Sequence, residues 1–142
     1  MNSTVASLRA RVEPSPTSAG LAFGDGALIA AFVLLGELRH GYGLLADPLR
    51  VLDTALPFFL GWALAAVLAG VYAPRARRST RVAARATTFA WIGAALLGQA
   101  LRASPLFHGG FALPFVLVSF GVGLLLLVPW RVAVAYGLSG RA

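Results

Sequence analysis

The amino-acid sequence predicts an all-α membrane fold, a four-transmembrane-helix bundle, and three observations carry that expectation. Of 142 residues, 58% are hydrophobic and 12% are charged, against roughly 25% charged in an ordinary soluble domain. The mean hydropathy is +0.80, and several apolar runs approach the roughly 20 residues that cross a bilayer. The charged side chains cluster between those runs and are too few to cover a water-exposed surface. Lipid is the solvent that such a chain requires.

Residues 1–20 combine Pro14 and Pro16 with Ser, Thr, Ala and Arg and have no apolar stretch long enough to pack, so they read as a disordered cytoplasmic tail. They lack a convincing signal-peptide cleavage site, and the first apolar run is expected to stay as an anchor. The membrane domain is expected over residues 21–131. Its first span covers about residues 21–38, with Asp25 near the start and Glu37 near the exit. Gly41 and Gly43 then turn the chain. Asp47 and Pro48 open the second span, about residues 48–73, because Asp caps free amides and proline fits the first helical position. Within it, Arg50 and Asp53 are expected to pair at i, i+3, and Pro57 to bend the helix.

Residues 74–85 carry Arg75, Arg77, Arg78, Arg81 and Arg85 without an acid among them. This stretch cannot lie in hydrocarbon, where an uncompensated arginine costs roughly 2.5–3.5 kcal/mol. The third span follows over about residues 84–101 and the fourth over about 111–130, joined by a Pro/Gly loop. Residues 132–142 are expected to form a cytoplasmic C-terminal tail.

Positive charge gives the orientation. With residues 74–85 in the cytoplasm, four spans place both termini there as well, together with Arg9, Arg11, Arg75, Arg77, Arg78, Arg81, Arg85, Arg131 and Arg141. Arg39, Arg50 and Arg102 fall outside, beside Glu37, Asp47 and Asp53. A multi-pass protein of the cell membrane follows, with Trp130 and Arg131 as an anchor at the inner border. Gly61, Ala65, Ala69 and Ala73 recur every four residues on the second span, and Ala86, Ala90, Ala94 and Gly98 on the third. Such ridges let helix backbones approach closely in lipid.

Composition excludes several chemistries. The chain has no cysteine, which removes disulfides, thiolate metal sites and cysteine nucleophiles. Its two histidines, His40 and His108, are far apart in sequence and form no metal-ligand spacing, so neither a metal nor a cofactor is expected. Ser104 and Ser119 lack the strained elbow of a hydrolase, and no enzyme is expected. The formal charge is +7 and all twelve basic residues are arginine. In a lipid-embedded chain that charge sets orientation and meets anionic lipid headgroups, and nucleic acid is not an expected partner.

The polar residues left over form the candidate site. Glu37, Arg39, His40, Gln99, Arg102 and His108 all fall at the outer ends of the spans, where ionisable groups are costly and are either paired or functional. Two readings stand: an ion- or solute-binding constellation, or a Glu37–Arg102 pair that locks helix ends together. Asp25, near the inner end, has two readings as well, one end of a polar stripe or a carboxylate paired with an inner arginine such as Arg131. Between Asp25 and His40, the side chains of Ile29 and Phe32 and the glycine at 36 supply no proton-carrying group.

The order of these segments resembles the prokaryotic membrane family called domain of unknown function 3054 (DUF3054). The resemblance rests on Asp25, on Gly36-Glu37-Leu38-Arg39-His40-Gly41 and on Pro57-Phe58-Phe59-Leu60-Gly61-Trp62. It continues through Gly98-Gln99-Ala100-Leu101-Arg102, Phe115-Val116-Leu117-Val118-Ser119 and Trp130-Arg131. It implies a small multi-span membrane protein and names no reaction. Two functional classes therefore follow from the residues themselves. One is a small transporter or channel component using the outer polar cluster and Asp25. The other is a noncatalytic interaction or assembly protein whose Ala/Gly ridges bind a second copy or another membrane subunit.

Overall fold

The computed structural model describes residues 2–140; Arg141, counted above with the inner arginines, lies outside them. The described residues form six helices: α1 (Asn2–Arg11), α2 (Pro16–Arg39), α3 (Pro48–Ala69), α4 (Pro74–Arg78), α5 (Thr80–Ala103) and α6 (Leu113–Ser139). The fold is all-helical. Helices α2, α3 and α6 are each long and apolar enough to cross a membrane. Helix α5 has comparable length, 24 residues, but falls short of that apolarity, so three candidate spans stand where four were expected.

The composition of α5 explains the difference. It is built largely from Ala, Gly and Thr, with Arg81 and Arg85 at one end and Gln99 and Arg102 at the other. Small side chains contribute little hydropathy but suit close packing, and α5 makes its most extensive contacts with α3 and α6. It buries Ala86, Ala90, Trp91, Ala94 and Gly98. A methyl group placed on Gly61 of α3 would lie 2.6 Å from the carbonyl oxygen of Ala94, and one on Gly98 would lie 2.8 Å from the Phe58 ring. One on Gly123 of α6 would overlap the Trp91 indole. The small-residue ridges thus join helices of this chain to one another. Outward-facing Phe23, Leu60, Leu64, Phe89, Leu117 and Leu125 are each more than half exposed, a surface that suits lipid contact.

Several boundaries differ from expectation. Residues 2–11, expected in a disordered tail, form α1, consistent with the helix-forming Ala, Leu and Arg in that stretch. The segment after it is clamped: the Glu13 N–H donates to the Tyr72 carbonyl at 3.2 Å, while Arg77 reaches the Glu13 carboxylate and the Ser15 hydroxyl. Ser15 also caps α2, accepting from the Ser18 N–H at 3.1 Å, so α2 starts at Pro16 rather than 21. Helix α3 runs through Pro57 and stops at Ala69, where Gly70 adopts φ 73°, a left-handed conformation that favours glycine. Asp47 holds the N-cap position of α3, but its side chain makes no capping bond. Helix α6 continues through the apolar residues beyond 131 to Ser139, into the expected C-terminal tail.

Candidate functional site

Two polar clusters lie at opposite ends of the bundle. At the arginine-rich end, α2 carries the fully buried carboxylate of Asp25. Its Oδ1 accepts from Arg131 Nε at 2.9 Å and Trp130 Nε1 at 3.1 Å. Its Oδ2 accepts from Arg131 Nη2 at 2.6 Å and the Tyr72 hydroxyl at 2.7 Å. Trp62 Nε1 in turn donates to the Tyr72 oxygen at 3.0 Å, and Arg131 Nη1 donates to the Val71 carbonyl at 3.1 Å. Four donors fill the acceptor sites of one carboxylate. The two-pronged approach of Arg131 is the strong form of an ion pair.

This geometry settles Asp25 as a paired carboxylate. Arg131, expected with Trp130 as a border anchor, is 3% exposed and reaches inward to Asp25, which supplies its counter-charge. Tyr72 lies in the short connection between α3 and α4. Burial, and then the adjacent Asp25 carboxylate, push its phenol pKa well above the ordinary value, so it remains a donor.

At the far end, Glu37 is 7% exposed. Its Oε1 accepts from the Thr54 hydroxyl at 2.8 Å and its Oε2 from Arg50 Nε at 3.1 Å. Arg50 also stacks on Tyr42, 3.7 Å from the ring centroid. Asp53 pairs with the His108 side chain. The expected Arg50–Asp53 and Glu37–Arg102 pairs are therefore replaced by Glu37–Arg50 and Asp53–His108. Arg39 and His40, at the exposed C-terminal end of α2, stand outside this network.

Arg102 is left over. Its guanidinium sits 4.3 Å from the Phe115 ring centroid and against Gly109, where a methyl would lie 2.6 Å from Nε. Its Nε and Nη1 atoms are buried and have no hydrogen-bond partner among the described residues. Gln99 lies one turn before it on the same face of α5. Gln99 Nε2 donates to Ser119 Oγ at 3.2 Å, which leaves its buried Oε1 without a partner.

An aromatic partition separates the two clusters. Phe32 of α2, Phe58 of α3, Trp91 of α5 and Phe115 of α6 meet with ring centroids 5.4–6.2 Å apart. Edge-on and offset contacts of this kind contribute about 0.5–1.5 kcal/mol per pair beyond area burial. Trp91 is fixed further by donating Nε1 to the Ser119 carbonyl at 2.8 Å. Asp25 and Glu37 are about 18 Å apart along α2, with Phe32 between them.

Residues 22–134 match the model of a family described as "Protein of unknown function (DUF3054)". The chain belongs to the DUF3054 family. No curated protein and no solved structure matches it. The DUF3054 match contains both clusters and the partition, from Asp25 to Arg131, whereas α1 and the end of α6 lie beyond it. Thr54, Tyr72 and Val71 belong to the clusters of this DUF3054 chain but were not singled out from sequence. Tyr72 had one usable signal: a phenol at the inner end of the second span, beside the arginine-rich stretch.

Proposed function

We propose that this DUF3054 protein is a four-span protein of the cell membrane that binds a small anion between the far ends of α2, α3, α5 and α6, as a component of a transport route. One observation carries the proposal: Arg102 presents two buried, unpartnered N–H-bearing nitrogens beside acids that are already engaged by Arg50, Thr54 and His108. Buried N–H groups without an acceptor are costly, and a carboxylate, phosphate or inorganic anion would supply acceptors in the fork geometry arginine favours. The partition of Phe32, Phe58, Trp91 and Phe115 lies beneath that position and would close the route on its inner side.

Helix α5 serves as the fourth span in this reading. Its 24 residues reach about 36 Å, longer than the roughly 30 Å hydrocarbon core, and the polar side chains in its middle and outer part, Thr87 and Gln99, are buried. An even number of spans with the arginine-rich stretch inside puts both termini in the cytoplasm. The assembly reading loses its motive, since the Gly61, Gly98 and Gly123 contacts are taken up within the chain.

Liposomes holding the purified protein, tested with chloride, nitrate, phosphate and acetate gradients, check the proposal. At least one anion should move, and Arg102→Gln should abolish that flux while Arg39→Gln, which removes an exposed arginine at the same end, preserves it. Absence of flux under every gradient, or equal loss in both variants, would overturn it.

A further inference from the structure

At the opposite end, the face between α3 and α5 holds a cleft of about 300 Å³ lined by Ala69, Arg75, Val82, Arg85, Ala86 and Phe89. Val82, Arg85, Ala86 and Phe89 share one face of α5 by their spacing; Ala69 ends α3, and Arg75 stands on α4. The cleft is therefore graded. Arg75 and Arg85 form its polar part, both exposed and without an ion-pair partner among the described residues. The carboxylates near that end are already engaged, Glu13 by Arg77 and Asp25 by Arg131. Ala69, Ala86 and Phe89 form its apolar part, and Phe89 is 66% exposed.

We propose that this cleft is a binding site for one anionic phospholipid, with the phosphate between Arg75 and Arg85 and the first part of an acyl chain over Ala69, Ala86 and Phe89. Charge complementarity selects the occupant. Two unpaired guanidinium groups at the end of apolar helices match a phosphodiester at headgroup depth, and the exposed phenyl ring one helical turn from Arg85 matches the chain that such a phosphate carries. A soluble phosphate would use the arginines alone and gain nothing from Phe89. The site is independent of Arg102 and of anion transport, since it lies at the other end of the bundle.

Native mass spectrometry of the intact protein, titrated in detergent with phosphatidylglycerol or phosphatidylcholine, tests the assignment. Phosphatidylglycerol should be retained in preference to phosphatidylcholine, and Arg75→Gln/Arg85→Gln should weaken that retention about tenfold or more. Arg78→Gln/Arg81→Gln removes the same charge from neighbouring exposed positions and should change it less than about twofold, because neither residue lines the cleft. Phe89→Ala, which keeps every charge, should weaken phosphatidylglycerol as well, and chain-free glycerol phosphate should fail to displace the lipid. Equal losses in the two double variants would reduce the effect to diffuse attraction. Equal retention of phosphatidylcholine, no effect of Phe89→Ala, or displacement by glycerol phosphate would each overturn the site.

Discussion

Replacing Asp25 by Asn changes almost no volume and removes one negative charge from a fully enclosed position in the bundle. Arg131 would then be a guanidinium with 3% exposure facing an amide. The amide offers one acceptor oxygen where the carboxylate accepted from Arg131 twice, from Trp130 and from Tyr72. Breaking a buried pair from one side costs about 3–5 kcal/mol. The unfolded chain in a membrane environment also finds partners for its polar groups, which favours the lower end. About 3 kcal/mol corresponds to roughly a hundredfold change in the folded-to-unfolded ratio. The charge-neutral double variant Asp25→Asn/Arg131→Gln should recover part of that loss, because no lone charge remains. Unfolding in mixed micelles by increasing sodium dodecyl sulfate, followed by the fluorescence of Trp62, Trp91 and Trp130, reads both quantities. An Asp25→Asn loss below about 1 kcal/mol, or strictly additive single and double variants, would refute the energetic role assigned to the pair.

Three further outcomes follow from the same structure. Gly123→Ala should cost about 1–3 kcal/mol by overpacking, since its methyl meets a Trp91 ring that cannot withdraw, whereas Gly121→Ala, with nothing within 4 Å, should be neutral or slightly stabilising; thermal unfolding in detergent distinguishes them. The Tyr72 phenol, whose folded pKa is raised, should remain protonated above pH 10 where an unfolded tyrosine ionises. Its stabilising contribution is then fully present below about pH 10 and is lost as pH rises toward the folded pKa; tyrosinate absorbance of the native protein, with Tyr72→Phe for comparison, measures this. Arg78→Cys, the only thiol in a chain without cysteine, should resist a membrane-impermeant maleimide in intact cells and react after permeabilisation; labelling before permeabilisation would reverse the orientation.

The pairing of Asp25 with Arg131 was legible because a lone acid in an apolar stretch has few ways to avoid an electrostatic penalty, and an arginine closing the last apolar run is one of them. The partner of Glu37 was not legible. Arg50 and Arg102 both lie at the correct depth, and the choice depends on the rotation of α3 and α5 about their own axes, which periodicity leaves open. The contact of Gly61 with Ala94 was visible as a ridge, yet a ridge does not say whether its neighbour belongs to the same chain. Helix α1 escaped notice because it has no apolar stripe, so nothing in its pattern separates it from a tail. The weak apolarity of α5 has the opposite cause: its inner side packs closely on both α3 and α6, and a helix in that position needs small side chains there more than greasy ones.

The cluster around Asp25 joins segments that leave the ribosome far apart in time. Asp25 emerges before Val71 and Tyr72, and these emerge well before Arg131. Until α6 arrives, the carboxylate on α2 has no cationic mate within its own chain. Release of α6 therefore marks the moment at which the nascent protein can close, and quality-control proteases would find a chain stalled before residue 131 open at that seam.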